Sequence, residues 1–409
     1  MTTAVAPFGA LRDIRIIDLT QMMAGPYGTM MLADHGAQVI KVESPAGDLT
    51  RSASGSLADG RELGGYFQSI DRNKDSVVLD LKTEGGRQAL FALVRDADAI
   101  MENFRAGVMD RLGLGWDVLR AINPRLIYGT LRGFGDPRGG ASPYQDWPAY
   151  DVVAQAMGGI MAITGPDANT PTKVGPGVGD IIPGMMLAFG VLAAIHNARR
   201  TGEGQFVDVA MTDAVLAVSE RMVWQNSVYG AVPGPEGNHH PFLCPFGMFP
   251  ASDGFITVAA QQNAFFAILV DKLGADALGT DSRYASEESR STNRHDLIAA
   301  LSAVTVRFTK AELMERLGGH IPFGPVMNVL EISADPHFAA REMIVEVDEP
   351  GHRPLKVTGV PIKLTATPGA VRRRAPFLGE HTWDRLREAG LSEDEIKLLI
   401  DRREAVART

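Results

Sequence analysis

The chain has 409 residues, with 40 basic and 49 acidic side chains, a net charge of −9, 45% hydrophobic residues and one cysteine, Cys244. Such a composition excludes a fibrous or disordered chain, and the length suits two or three domains. The charge opposes non-specific binding to nucleic acid or to an anionic membrane, and one cysteine excludes an intrachain disulfide and any multi-cysteine zinc site, which fits a reducing cytoplasm.

Residues 1–10 lack a basic segment followed by an apolar stretch, so no signal peptide is expected. Residues 14–19 are a β-branched run that predicts a strand. Met22-Met23-Ala24-Gly25-Pro26 leads into an apolar helix over 27–35, and a second strand follows over 38–43. Strand, helix, strand on so short a pitch predicts a parallel α/β unit. The pattern recurs, with strands at 76–81, 99–102 and 126–131 and helices at 86–96 and 117–122. A doubly wound sheet is therefore expected.

Residues 133–147 form a glycine- and proline-rich loop. Beyond it come a long helix after Asp180, a strand at 205–211 and a helix over 212–229. The apolar stretch 181–195 is shorter than a membrane span and holds Pro183, Gly184 and Gly190, so it reads as a buried helix. Residues 231–250 contain five prolines and mark a boundary. A strand at 254–260, helices to about 317 and strands at 343–347 and 355–364 follow. Ser392, with Glu395 three positions on, caps a final helix. The expected division is 1–225 for a large domain, 226–325 for a small one and 326–409 for a return to the large one.

The turn after the first strand holds only Gly25 where a dinucleotide fingerprint needs three glycines. No Walker sequence, zinc-protease pair or Gly-x-Ser-x-Gly elbow occurs. His239-His240 is an adjacent pair in a loop, a poor geometry for holding one metal. The informative stretch runs Gly175-Pro176-Gly177-Val178-Gly179-Asp180, directly before the apolar helix. Asp180 can be read as a helix cap that accepts the free N–H groups. It can equally be read as a nucleophile, with glycines admitting a large ligand and nearby N–H groups serving as an oxyanion hole. The residues alone leave both readings open. Asp151, Asn103-Phe104 and Lys82 have ordinary readings as cap, turn and solvated charge.

Taken together, the motifs resemble the family III CoA-transferases, the group containing formyl-CoA transferase and carnitine CoA-transferase. The pieces that match are Met23-Ala24-Gly25-Pro26, Gly36-Ala37-Gln38-Val39-Ile40-Lys41-Val42-Glu43, Asn73-Lys74, Leu79-Asp80-Leu81-Lys82 and Glu102-Asn103-Phe104-Arg105-Ala106-Gly107. Gly179-Asp180, Thr201-Gly202-Glu203-Gly204-Gln205, Ala210-Met211-Thr212-Asp213-Ala214, Gly324-Pro325-Val326 and Leu378-Gly379-Glu380-His381-Thr382 complete them, in order over nearly the whole chain.

The resemblance implies an α/β fold: a Rossmann-like large domain formed by both chain ends, a smaller α+β domain and an interlocked ring homodimer. It makes Asp180 the catalytic nucleophile and puts Asp151 where formyl-CoA transferase has an assisting glutamate. Asn103, Phe104 and Arg111 fall on positions that hold CoA, and Met23, Leu79, Lys82 and Met211 on positions that line the same site. No metal and no cofactor beyond the substrate CoA is implied. The partners implied are an acyl-CoA and a small acid, a dicarboxylate such as succinate among them.

Three departures set this chain apart from formyl-CoA transferase. Ser44 stands where that enzyme has a CoA-contacting arginine, with Arg51 as a candidate replacement. Pro148 stands for a lysine, and the mobile tetraglycine loop is absent from 233–250. His239, His240 and Phe242 are candidates to meet the acyl group. Acyl-CoA racemases share the fold but carry a histidine where this chain has Tyr150, a poor base at neutral pH. The transferase reading therefore leads. A racemase-like isomerase and a CoA-binding protein without catalysis are the alternatives.

Overall fold

The computed structural model describes residues 9–52, 62–219 and 221–408. Residues 1–8, read above as lacking a signal peptide, lie outside the described residues. The chain divides into two compact units. The large one takes the residues up to Ile160, Lys173–Trp224 and those from His337 onward; the small one takes Met161–Thr172 and Gln225–Pro336. The sequence division differs at two places. Residues 161–172 group with the small unit, where the Gly237 N–H donates to the Gly165 carbonyl. The return to the large unit comes at His337, later than residue 326.

The strands in chain order are β1 (Arg15–Asp18), β2 (Gln38–Glu43), β3 (Asp75–Leu79), β4 (Ala99–Glu102), β5 (Ile127–Arg132), β6 (Phe206–Ala210), β7 (Phe246–Ala251), β8 (Gly254–Ala259), β9 (Phe323–Pro325), β10 (Ile344–Val347), β11 (Leu355–Thr358) and β12 (Ala405–Val406). The large unit is built on one sheet of order β12-β3-β2-β1-β4-β5-β6. β1 to β6 are parallel, and β12 adds antiparallel to β3 from the far end of the chain. The core order 3-2-1-4-5-6 is that of the dinucleotide-binding fold, in which the ligand crevice opens at the carboxyl ends of the strands where the order reverses. Here that point lies between β1 and β4.

Both faces of the sheet are covered, which is why its strands read as continuous apolar runs. Every residue of β3 and of β5 is buried. Alternate strand residues feed two cores. Ile17, Ile40 and Ile100 face Leu90, Leu93, Leu119, Leu386 and Ile396. Ile16, Val39 and Met101 face Leu32, Leu187, Val191, Ile195 and Val215. Each such side chain contributes about 1.5–3 kcal/mol by leaving water.

The second core contains the crossing that matters for the site. The helix Ala24–Asp34 meets the helix Val178–Thr201 backbone to backbone. A Cβ on Gly184 would stand 2.2 Å from the Ala24 carbonyl oxygen, and one on Gly28 would stand 2.4 Å from that of Gly184. Only glycine at both positions permits this approach. The long helix is apolar enough, with a mean hydropathy of 2.0, to cross a membrane by length and composition alone. It lies on the sheet instead, but only one side is covered, and Phe189 on the other is 76% exposed. The sequence reading of a buried helix therefore holds for one face only.

Two further differences concern boundaries. The helix expected over 212–229 breaks into Met211–Val218 and Arg221–Tyr229. At the break the Ser219 hydroxyl donates back to the Val215 carbonyl at 2.9 Å, a bond that competes with helix continuation. The strand expected to reach 364 ends at Thr358, just before Gly359 and Pro361. The Ser392–Glu395 capping box forms as read, its two bonds measuring 3.3 and 2.8 Å.

The small unit has an antiparallel sheet of order β7-β8-β9 packed on the helices Asn263–Leu273, Arg294–Thr305 and Lys310–Leu317. Its core contains Phe249, Ile256, Phe266, Leu269, Leu301 and Leu313.

Candidate active site

A cavity of about 250 Å³ opens at the carboxyl ends of β1, β4 and β5, where the strand order predicts it. Across the reversal, the Gln21 N–H donates to Asn103 Oδ1 and Asn103 Nδ2 donates to the Gln21 carbonyl, both at 2.8 Å. One side-chain amide thus ties the end of β1 to the end of β4. The next residue, Met22, has φ +66°, a left-handed conformation that a methionine adopts only when its surroundings impose it. Two buried lysines tie the chain on either side of it: Lys41 Nζ donates to the Thr20 carbonyl at 2.9 Å and Lys74 Nζ to the Pro26 carbonyl at 3.1 Å.

Asp180 is the third residue of its helix, and Gly177 stands at the cap position with no side chain to serve there. The cap reading of Asp180 is therefore replaced. The group that performs the capping is Asp151, from the helix Asp151–Met157, whose Oδ1 accepts the Gly179 N–H at 2.8 Å. Gly179 has to be glycine, since a Cβ would stand 2.6 Å from the Asp151 carbonyl oxygen. Gln155, fully buried, donates Nε2 to both Asp151 oxygens at 2.9 and 3.0 Å and accepts the Val174 N–H at 2.8 Å. Asp151 is thereby locked as an acceptor.

The same bonds correct the oxyanion-hole expectation. The N–H groups of Val178, Gly179 and Asp180 donate to the Pro176 carbonyl, to Asp151 and to the Gly177 carbonyl. None of the three is free for a ligand.

Among the described residues, no side chain or backbone group hydrogen-bonds the Asp180 carboxylate. Burial, with the Asp151 charge adding to it, pushes that carboxyl up to about 6. Tyr66 lines the same cavity, and burial together with the Asp180 charge pushes its hydroxyl up to about 12. The 24-residue helix points its positive end at Asp180, which favours an anion there. Asp180 is thus a carboxylate of raised basicity in a cavity that admits a ligand.

The other expected site residues divide. Met23, Asn103, Phe104 and Met211 line the cavity with Asp180, as do Pro148 and the 64%-exposed Tyr150. Asp151 stands behind the turn that carries Asp180 and is not part of the wall. Leu79 is placed otherwise than expected: it is fully buried in the β3 core, opposite Ala405 of β12. Lys82 and Arg111 are exposed and do not line this cavity. Arg51 is not available to replace the arginine missing at Ser44. Its guanidinium makes a two-pronged pair with Glu43 at 2.7 and 2.6 Å and lies 3.9 Å over the Phe67 ring.

His239, His240 and Phe242 belong to the small unit. There His239 packs edge-on to Phe249, and His240 Nδ1 accepts the Phe242 and Leu243 N–H groups. Sequence reasoning missed Tyr66, Trp147 and Arg132, all of which line the cavity. Trp147 had a signal, a large aromatic in a glycine-rich loop; Tyr66 and Arg132 had none.

Residues 11–382 match the family described as CoA-transferase family III. The chain belongs to this family. It is a CoA-transferase. It is 46% identical over 386 residues to the succinyl-CoA:mesaconate CoA-transferase of Haloarcula hispanica, covering 94% of this chain and 97% of that one. It is 35% identical over 397 residues to the succinyl-CoA–D-citramalate CoA-transferase of Chloroflexus aurantiacus, covering 96% and 97%. Among solved structures, a CAIB/BAIF family protein from Brucella suis superposes with a TM-score of 0.84 at 33% identity, over 93% of this chain and 100% of the other.

Proposed function

We propose that this CoA-transferase moves CoA from an acyl-CoA donor to a carboxylic acid acceptor through covalent intermediates on Asp180. The observation that carries the reading is the carboxylate of Asp180 in the switch-point cavity, basic and unpaired among the described residues. Asp180 attacks the thioester carbonyl, the C–S bond breaks, and CoA thiolate leaves a mixed anhydride. The thiolate attacks the aspartyl carbonyl, releases the donor acid as carboxylate and forms an aspartyl-CoA thioester. The acceptor carboxylate attacks that thioester, releasing thiolate and forming a second anhydride. Attack of the thiolate on the acceptor's acyl carbon regenerates the Asp180 carboxylate. No electrons and no net proton change hands, and the overall exchange trades one CoA thioester for another.

Burial and the Asp151 charge disfavour the anion of Asp180 relative to any neutral acylated form. The groups that raise its pKa therefore also favour the covalent intermediates. The long CoA body holds the thiolate near the aspartyl carbonyl between steps. Asn103, Phe104, Met23 and Met211 form the wall along which CoA runs, with Arg111 and Lys82 outside it for its phosphate groups. Donor and acceptor are small dicarboxylic acids, with succinyl-CoA as the donor. That assignment is supported by the names of the relatives that act on succinyl-CoA with mesaconate or D-citramalate. Racemisation would need a base on each face of the α-carbon, and Asp151 is fully engaged with Gly179 and Gln155.

The protein acts as a homodimer of interlocked rings. The exposed apolar side of the Val178–Thr201 helix, with Met185 and Phe189, supports a second copy as its cover. The test of function is Asp180→Ala, assayed for CoA exchange between succinyl-CoA and a panel of dicarboxylic acids, with CoA binding measured in parallel. Exchange is lost and binding is kept; turnover by the variant would sink the nucleophile assignment.

A further inference from the structure

Arg132, at the end of β5, lines the cavity, yet its guanidinium is turned to the protein. Nε donates to the Phe104 carbonyl at 3.0 Å, Nη2 to Glu102 Oε1 at 2.6 Å, and Nη1 to Asp136. The other oxygen of Glu102 accepts the Phe104 N–H at 2.7 Å. Both polar backbone groups of Phe104 are therefore held by one ion pair, the N–H by Glu102 and the carbonyl by Arg132. Asp136 continues the chain of contacts, since its N–H donates to Asp208 of β6 at 2.9 Å. The residue before Phe104 is Asn103, whose side chain holds Gln21 across the strand-order reversal.

We infer that Glu102 and Arg132 are positioning residues that fix the Phe104 wall of the cavity for the CoA body. The inference rests on the proposed course of CoA along that wall. A stability role alone does not account for the pair. Glu102 is fully buried, and burial pushes its carboxyl up to about 7 against the pull of Arg132. A buried ion pair of this kind stabilises a fold weakly, and apolar residues of similar volume often do better. What apolar residues cannot do is hold one residue by both its backbone donor and its backbone acceptor. The planar fork of arginine can reach Phe104, Glu102 and Asp136 together, whereas a lysine ammonium cannot span the same geometry.

The experiment is a double-mutant cycle read as CoA affinity and as kcat and KM for succinyl-CoA. Arg132→Lys weakens CoA binding at least tenfold and raises KM in proportion, with kcat within about twofold of wild type, because the wall meets the CoA body and not the reacting carbonyl. Phe104→Ala does the same. Because Arg132 acts through Phe104, the two changes together weaken binding no more than about twofold beyond the larger single effect. Glu102→Gln, of the same shape, runs the same cycle where Arg132→Lys does not fold. Independent, multiplying effects would overturn the inference, as would unchanged CoA affinity in both Arg132→Lys and Glu102→Gln. The nucleophile assignment is read from turnover of Asp180→Ala, so either claim can fail without the other.

Discussion

A fully buried set of carboxylates and a half-buried one, Asp180 with Asp151, stand at the same end of the sheet in opposite surroundings. Under β1 and β2, Asp18, Glu43, Asp48 and Asp71 share Lys41, Lys74 and Arg51 at 2.6 to 3.5 Å. There the lysine charges hold the fully buried Asp18 at about 2 in spite of its burial. With four carboxylates for three cations one is in excess, and burial pushes Asp71 up, with its Oδ2 left without a hydrogen bond. Among the described residues Asp180 has no cation and no donor, and the like charge of Asp151 adds to its burial. The first set fixes the backbone of the Thr20–Pro26 turn. Asp180, the proposed nucleophile, has no such pairing among the described residues. Pairing, more than burial, separates the two sets.

That contrast can be broken from either side. The largest effect is expected at Lys74, which pairs with Asp18 at 3.0 Å and with Asp71 at 2.7 Å. Lys74→Met leaves buried charge unpaired and lowers stability by about 3–5 kcal/mol in denaturant unfolding. A loss under 1 kcal/mol would show that these ion pairs are not what holds the turn.

The second effect has the opposite sign. The carboxyl of Asp180 is raised from 3.8 to about 6 in the folded chain, so the folded state holds this proton more tightly than the unfolded state does. Ionised Asp180 therefore destabilises the fold, fully above pH 6 and hardly at all below pH 4. At about 1.4 kcal/mol per unit, the cost is at most about 3 kcal/mol. Asp180→Asn is expected to be more stable than wild type at pH 8 and equal to it near pH 4. Unfolding curves at the two pH values check this.

A smaller loss, about 1–3 kcal/mol, is expected for Gly184→Ala, which pushes the long helix off the Ala24 carbonyl. Because that helix carries Asp180, kcat should fall further than stability alone explains. The smallest effect is a shift in a profile. Nucleophilic attack needs ionised Asp180, so kcat/KM should fall as pH drops through about 6. Asp151→Asn keeps an acceptor for the Gly179 N–H but removes the like charge. Its acid limb should move toward the ordinary carboxylate range near 4. An unmoved limb would mean that burial alone sets the Asp180 pKa.

The sheet was legible in the sequence because strands buried on both faces leave long apolar runs, and six parallel strands repeated that signal. β12 was not, since two residues carry no period. Asp180 was legible as a special position, but its role was not. A capping carboxylate and a nucleophile share the same glycine-rich approach, and the residue that takes the capping role, Asp151, lies 29 residues earlier in the chain. The loss of Arg51 to Glu43 and of Leu79 to the core depends on tertiary pairing that no local pattern encodes. The Glu102–Arg132 clamp was invisible for the same reason, with its two residues 30 positions apart.

The central claim is that Asp180 becomes covalently acylated. The direct measurement is to incubate the enzyme with succinyl-CoA, quench with hydroxylamine and map the modified peptide by mass spectrometry. The account predicts a hydroxamate on Asp180 that appears only with the acyl-CoA and is absent from Asp180→Ala. Turnover with no adduct on Asp180, or with the adduct on another residue, would contradict it.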